Sequence, residues 1–162
     1  MQRRGARYLA RAMYKHVLAA TDFSELGDRA LQRAVAIAQR FGATLGVLHV
    51  LAEQEVPTLY NREEIGEFLG VAEAAKQKAR ELLDERLAKL DPEKALSVHL
   101  EVRTGVPAEQ VLDYADECDA DLIVVGTSGK RGMRRWLLGS NAELVVRGSA
   151  RDVIVVGRAM ES

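Results

Sequence analysis

The sequence has little cysteine, little proline and few aromatic residues, and it has no long apolar run. Cys118 is the single cysteine among 162 residues, so no internal disulfide is possible and a reducing compartment, the cytoplasm, is expected. No stretch reaches the roughly 18 apolar residues that a membrane-spanning helix needs. With 48% apolar and 29% charged residues, disordered, collagen-like and disulfide-scaffold classes are excluded. The length then suits one globular domain.

The sequence also lacks an excess of charge of either sign, with 23 Lys and Arg against 24 Asp and Glu. A globally basic protein is therefore excluded, and we expect no nucleic-acid partner. The first fifteen residues nevertheless carry five basic side chains and no acidic one, and we assign residues 1–13 as a basic N-terminal arm. This arm is a disordered extension, or a helix with Arg4, Arg7 and Arg11 on one face, or a segment ahead of a natural start at Met13.

Apolar runs alternate with helical apolar stripes along the rest of the chain. The runs predict buried strands at 15–20, 45–50, 122–125 and from Val153 to Val156, and strict alternation over 96–103 predicts an edge strand. The stripes predict helices from about Ala30 to Gly42, from an Asn61–Glu64 capping box to Asp91-Pro92, and from Pro107 to Cys118. A second capping box, Ser140 with Glu143, predicts a short fourth helix.

This alternation of strands and helices predicts one α/β domain. Strands separated by helices pair in parallel through right-handed crossovers, so we expect an open, doubly wound five-stranded parallel sheet with helices on both faces. No repeat or low-complexity linker divides the chain. We place the folded domain at residues 14–158 and a C-terminal tail at residues 159–162.

Polar and glycine residues follow three of the predicted strands. These segments are Ala20-Thr21-Asp22, His49-Val50 and Gly126-Thr127-Ser128-Gly129-Lys130. Ligands of open parallel sheets bind at the carboxyl ends of the strands, near the point where the winding reverses. We therefore expect a ligand site at this edge, with Gly126 allowing a ligand to approach the backbone closely.

The glycines after the fourth strand have a regular spacing, Gly126-x2-Gly129-x9-Gly139-Ser140. Free N–H groups at the helix that begins near Ser140 favour an anion such as phosphate. The segment between the glycines also carries positive charge, at Lys130, Arg131, Arg134 and Arg135. Neither G-x-x-x-x-G-K-[ST] nor G-x-G-x-x-G occurs. The pattern predicts a pocket for a phosphorylated ligand that is not a Walker A loop.

Four ordered segments of the chain resemble the ATP-binding branch of the universal stress protein family. Residues 14–25, 46–50 and 120–126 are similar to the family's first, second and fourth strands, and G-2x-G-9x-G-S is similar to its ATP-binding motif. The resemblance covers residues 14–156 and implies the adenine nucleotide alpha hydrolase-like fold, a doubly wound three-layer sandwich. Two features depart from the family pattern: Asn141 stands where many members carry an apolar residue, and segment 149–152 lacks a common proline.

The resemblance implies a role for each matching residue. Asp22 matches the acidic residue near the ribose and the phosphate-bound metal, here Mg²⁺ carried by the nucleotide. The backbone of Val50 matches the contact to adenine. The implied nucleotide-binding set is Ala20, Thr21, Asp22, Val50, Gly126, Thr127, Ser128, Gly129, Lys130, Arg131, Gly139, Ser140 and Asn141. No residue is assigned a catalytic role.

The resemblance further implies a cytoplasmic stress-response regulator or adaptor that binds ATP, or ADP or AMP, and that forms a homodimer through Val153 to Val156. Two alternatives remain open. One is slow ATP hydrolysis, for which Asp22 and metal-bound phosphates are the available groups. The other is a nucleotide-free dimeric interaction module.

Several residues have simpler structural interpretations. Asp22 suits a turn, and Ser140 with Glu143 suits a helix cap alone. His16 and His49 lie between apolar residues and are interpreted as hydrogen-bonded structural histidines, and with His99 they have no zinc-site spacing. Cys118 lies on an apolar helix face and is interpreted as a core residue. The run Trp136-Leu137-Leu138 is expected to pack the glycine-rich segment onto the sheet.

Overall fold

The computed structural model describes residues 13–52, 62–127 and 138–157, and within these residues strands and helices alternate. The side chains of residues 62–68 are not described. The elements are β1 (His16–Ala20), α1 (Glu25–Phe41), β2 (Thr44–Ala52), α2 (Arg62–Leu90), β3 (Val98–Gly105), α3 (Pro107–Glu117), β4 (Leu122–Gly126), α4 (Ser140–Gly148) and β5 (Asp152–Val156). Each of the five predicted strands is present.

The strands form one parallel sheet in the order β3-β2-β1-β4-β5. The chain winds from β1 outward through β2 to β3, and then returns to the other side of β1 for β4 and β5. This order confirms the doubly wound fold, and it places the reversal of winding between β1 and β4. It also confirms β3 as an edge strand.

Helices cover both faces of the sheet. Val17 and Ala19 of β1 face α1 and α2, where Leu83 is fully buried. Leu18, between them, faces α3 and α4. Because successive side chains of a strand point to opposite faces, one strand contributes to both hydrophobic cores. The three-layer arrangement predicted for the domain is confirmed. In the described parts of the chain, no helix is long and apolar enough to cross a membrane.

The helix ends follow local chemistry. Helix α1 begins earlier than the predicted Ala30, because Ser24 caps it by accepting the N–H of Gly27, and it ends at Gly42 with a φ of 66°. Helix α2 ends at Leu90, as Asp91-Pro92 predicts. Asn61, the predicted cap of α2, lies outside the described residues.

The predicted capping box of α4 is wrong. The N-cap is Gly139, in an extended conformation (φ −65°, ψ 151°), and its carbonyl accepts the N–H of Glu143 at 2.9 Å. Ser140 is therefore the first residue inside the helix. Its hydroxyl does not sit at the flanking position from which a side chain accepts an N–H of the first turn. The N–H of Gly139 donates to the carbonyl of Thr127 at 2.7 Å, which fixes where the helix starts.

Candidate functional site

A solvent-open cleft lies at the carboxyl ends of β1, β2 and β4, where the winding of the sheet reverses. Its cavity volume is about 130 Å³, and it is open to solvent on one side. Fifteen residues line it: Ala20, Thr21, Asp22, Ser24, Gly27, Leu48, Val50, Pro107, Ala108, Val111, Val125, Gly126, Asn141, Ala142 and Val145.

The turn at residues 21–24 presents Asp22 to the cleft. The Oδ1 atom of Asp22 accepts the N–H of Ser24 at 3.0 Å and also the hydroxyl of Ser24. The hydroxyl oxygen of Thr21 accepts the N–H of Phe23 at 3.1 Å. In the described residues nothing donates to Oδ2 of Asp22, and the side chain is exposed. This oxygen is thus available to a ligand hydroxyl or to a metal-bound water.

Gly27 brings α1 against this turn. A Cβ at Gly27 would lie 2.6 Å from Oδ1 of Asp22 and 2.7 Å from Oγ1 of Thr21. Because α1 approaches the Asp22 carboxylate this closely, residue 27 has no room for a side chain. Gly27 is not among the residues that the sequence predicts for the site. A glycine in the first turn of a helix that begins at Ser24-Glu25 lowers helix stability, so its presence indicates a close contact.

The opposite side of the cleft is apolar. Val50 at the end of β2 faces Ala108 and Val111 of α3, which are 2% and 4% exposed. The sequence also does not predict Pro107 and Ala108 for the site, although β3 ends at Gly105, two residues before Pro107. The rule that ligands bind at strand ends identifies them once it is applied to β3 as well. An apolar wall of this kind suits the ring of a base.

Two helices begin at the cleft with open amino ends. The N-caps of α3 and α4, Val106 and Gly139, make no side-chain capping hydrogen bond within the described residues. Among the described residues, no acceptor takes the first N–H groups of α4, from Ser140 to Ala142, so a ligand can bind them. Together with the partial positive charge of the helix end, they favour an anion in the cleft.

The predicted binding residues fall into three groups. Ala20, Thr21, Asp22, Val50, Gly126 and Asn141 line the cleft. Thr127, Gly139 and Ser140 lie beside it, joined by the Gly139 N–H to Thr127 carbonyl bond. Ser128, Gly129, Lys130 and Arg131 lie outside the described residues, as do Arg134, Arg135, Trp136 and Leu137.

A resident metal site is not formed by the described residues, where no three His, Cys, Asp or Glu side chains cluster. Asp22 is the one acidic side chain among the cleft residues given above. One carboxylate is a donor that Mg²⁺ uses where substrate phosphates supply other ligands, and Asp22 offers such a carboxylate in the cleft.

These features define an α/β protein with a doubly wound parallel sheet and a ligand cleft at its switch point. Comparison with known proteins makes the class specific: the sequence profile of the universal stress protein family matches residues 13–157. The chain belongs to the universal stress protein family.

Its relatives match along nearly their whole length. The chain is 33% identical over 144 residues to universal stress protein MJ0531 of Methanocaldococcus jannaschii, covering 89% of this chain and 82% of that protein. Its fold is similar to the solved structure of MJ0577 of the same organism, with a TM-score of 0.77, 27% identity and coverage of 93% and 100%. It is also similar to a universal stress protein crystallised in complex with cAMP, with a TM-score of 0.68, 26% identity and coverage of 91% and 100%.

Proposed function

We propose that this protein binds an adenine nucleotide, ATP with Mg²⁺, in the cleft and acts as a nucleotide-dependent stress-response regulator or adaptor. The observation that carries the proposal is the pairing, in one cleft, of an apolar slot with the open amino end of α4. A planar base and a phosphate chain need these two environments side by side. The similar protein that is complexed with cAMP supports the same ligand class.

Each part of the cleft would hold one part of the nucleotide. Val50, Ala108 and Val111 would contact the base, and Asp22 would accept a ribose hydroxyl or a metal-bound water. The N–H groups at the start of α4 would bind phosphate oxygens, beside Asn141. Ser128, Gly129, Lys130 and Arg131 belong to the proposed phosphate site through the glycine spacing. Bound Mg²⁺ would offset part of the phosphate charge.

The regulatory role follows from where the phosphates would lie. The N–H to carbonyl bond between Gly139 and Thr127 joins the two ends of segment 127–139 beside the cleft. Phosphates at the start of α4 would contact this junction directly. We propose that the nucleotide-bound and nucleotide-free proteins present different surfaces there to a downstream protein.

We also propose that the protein is a cytoplasmic homodimer joined through β5. This strand pairs with β4 on one side and ends the sheet on the other, and Val153, Ile154 and Val155 are only half-buried. Apolar edge strands pair readily with another copy. Light scattering after size exclusion should give twice the chain mass, and Ile154→Lys should give the chain mass. A wild-type monomer would contradict the dimer.

Calorimetric titration tests the nucleotide proposal. Purified protein, freed of co-purified nucleotide that is identified by mass spectrometry, is titrated with ATP, ADP, AMP and cAMP, with and without Mg²⁺. We expect ATP to bind at one site per chain, with a higher affinity when Mg²⁺ is present. A protein that carries no nucleotide and binds none of the four would overturn the proposal.

A further inference from the structure

Phe23, in the turn that carries Asp22, has a backbone conformation that is unusual for a bulky residue. Its φ is 61°, in the left-handed region that favours glycine. Such a conformation persists where surrounding contacts determine it, and such residues cluster at ligand sites. The hydrogen bond from Phe23 N–H to Thr21 Oγ1 is one of these contacts. The side chain of Phe23 supplies the others.

The Phe23 ring is held from two further elements. It stacks on the imidazole of His49 in β2, with ring centroids 4.2 Å apart and an angle of 29° between the planes. The guanidinium of Arg86 in α2 lies over the Phe23 ring, with Cζ 4.8 Å from the centroid. Arg86 is in turn fixed by an ion pair from its Nε to Oδ1 of Asp28 in α1 at 2.6 Å. Contacts from β2 and α2 therefore converge on one ring.

His49 also holds the backbone of the same turn. Its Nδ1 lies 2.8 Å from the carbonyl oxygen of Thr21. Because a carbonyl oxygen only accepts, Nδ1 carries a proton and donates. His49 is 8% exposed, and it points to the face of the sheet covered by α1 and α2, whereas its neighbours Leu48 and Val50 line the cleft. The turn is thus held from behind the cleft.

We propose that Phe23, His49 and Arg86 are positioning residues that set the 21–24 turn in the conformation that binds the nucleotide. None of the three lines the cleft, so each acts through the turn: His49 through the Thr21 carbonyl, Phe23 through its own backbone, and Arg86 through the Phe23 ring. The inference rests on the proposed function, because the role of the turn is to place Asp22 against the ligand.

The test compares four variants with wild type by calorimetric titration with ATP and Mg²⁺. His49→Leu removes the donor, His49→Asn keeps an N–H near the Nδ1 position, and Phe23→Leu removes the stack. Phe41→Leu is the matched control, because Phe41 also makes an aromatic contact, with Tyr14 at a centroid distance of 5.4 Å, but at the opposite end of the domain. Titration is done at a temperature at which circular dichroism shows every variant folded, since loss of stability alone then leaves affinity unchanged.

We expect His49→Leu and Phe23→Leu to bind ATP about tenfold more weakly, as for other supporting residues that orient a ligand contact. His49→Asn, which restores the N–H near Thr21 but not the ring stacked on Phe23, should recover part of the affinity and bind more tightly than His49→Leu. Phe41→Leu should lower the melting temperature and leave affinity unchanged. Wild-type affinity in both His49→Leu and Phe23→Leu would overturn the inference, as would equal losses in Phe41→Leu.

Hydrogen exchange of the free protein separates this inference from the proposed function. The Ser24 and Gly27 N–H groups donate to Asp22 Oδ1 and Ser24 Oγ, and they report the turn without nucleotide. In His49→Leu we expect faster exchange at both, with exchange in β5 unchanged. If these two N–H groups exchange faster in His49→Leu but the wild type binds no nucleotide, the proposed function has failed. His49 then still holds the turn as described. Unchanged exchange at both groups would overturn the inference itself.

Discussion

Gly126 at the end of β4 lies against the backbone of Leu26 in α1. A Cβ at Gly126 would stand 2.9 Å from both the carbonyl carbon and the carbonyl oxygen of Leu26. The sequence pattern suggested that Gly126 is a glycine so that a ligand can approach. The structure adds a second reason, because α1 packs on β4 at a distance that no side chain permits. Gly126 therefore supports the cleft by placing α1 as well as by lining it.

Replacing Gly126 by alanine should destabilise the fold. The added methyl meets rigid backbone, so we expect the free energy of unfolding to fall by about 1–3 kcal/mol, as for other overpacked sites. Urea denaturation followed by circular dichroism measures it. Gly70→Ala in α2 is the matched control, since a Cβ there meets nothing within 4 Å. Gly70→Ala should stabilise the protein by about 0.5–1 kcal/mol. A Gly126→Ala protein as stable as wild type would contradict this packing.

Asp91 is buried at the end of α2 and holds the chain that leads to β3. Its carboxylate accepts the N–H of Ala95 at 3.2 Å and of Leu96 at 3.0 Å, together with the side-chain amide of Gln39. Asp91→Ala leaves these donors without their acceptor, and we expect a loss of about 1–3 kcal/mol in unfolding free energy. Asp91→Asn, which keeps one acceptor oxygen, should lose less. Equal stability of Asp91→Ala and wild type in urea would rule this role out.

Asp121 joins the start of β4 to the start of β1 and gives stability a pH dependence. Partial burial raises the pKa of its carboxyl, but hydrogen bonds from the N–H groups of Lys15 (2.6 Å) and His16 (2.8 Å) outweigh burial and hold the pKa below its ordinary value. A lowered pKa stabilises the fold above the ordinary aspartate value of about 3.9 and stops doing so as pH falls through the folded pKa.

Wild type should therefore be more stable than Asp121→Asn at pH 7, and the gap in melting temperature should close below about pH 4. Thermal unfolding of both proteins from pH 7 to pH 3 measures this gap. Asp119→Asn serves as a control that removes a neighbouring charge. A gap that stays constant across the range would contradict the assigned pKa.

Cys118 should react slowly with alkylating agents. It is half-buried at the end of α3, and burial raises the pKa of its thiol. Because the thiolate is the nucleophile, alkylation by iodoacetamide at pH 8 should be at least about tenfold slower in the folded protein than in guanidinium chloride. Mass spectrometry of timed samples measures both rates. Equal rates would show that Cys118 is exposed and that the pKa of its thiol is not raised.

The sequence predicts the sheet well because each strand carries its own pattern. The continuous apolar run at 122–125 predicts a central strand, which is buried on both faces. The alternation over 96–103 predicts an edge strand, which is buried on one face. The cap of α4 was mispredicted since Gly139 and Ser140 are both good capping residues, and the choice depends on a hydrogen bond to Thr127 that is distant in sequence.

The candidate site is predicted only in part for the same reason. Asp22 and Val50 follow from the rule on strand ends, and the family resemblance gives them roles. Gly27 and the Phe23–His49 stack depend on how closely α1 and β2 approach the 21–24 turn. Such distances arise from packing between elements, and no local pattern reports them.

If a nucleotide binds with its phosphates at the start of α4, Asn141→Asp should weaken its binding. An acidic residue in the first turn of a helix is favourable by about 0.3–1 kcal/mol, so the variant should be at least as stable as wild type. Its negative charge lies in the cleft, where it would repel phosphate. Ser97→Asp adds the same charge at the amino end of β3 and is the control.

The measurement is the calorimetric affinity of these two variants and wild type for ATP and for adenosine, both in EDTA. We expect Asn141→Asp to weaken ATP binding about fivefold or more while adenosine binding stays unchanged, since two like charges in contact cost about 1 kcal/mol even in water. Ser97→Asp should match wild type for both ligands. Wild-type affinity of Asn141→Asp for ATP, or an equal loss for adenosine, would mean that phosphates do not bind at the start of α4.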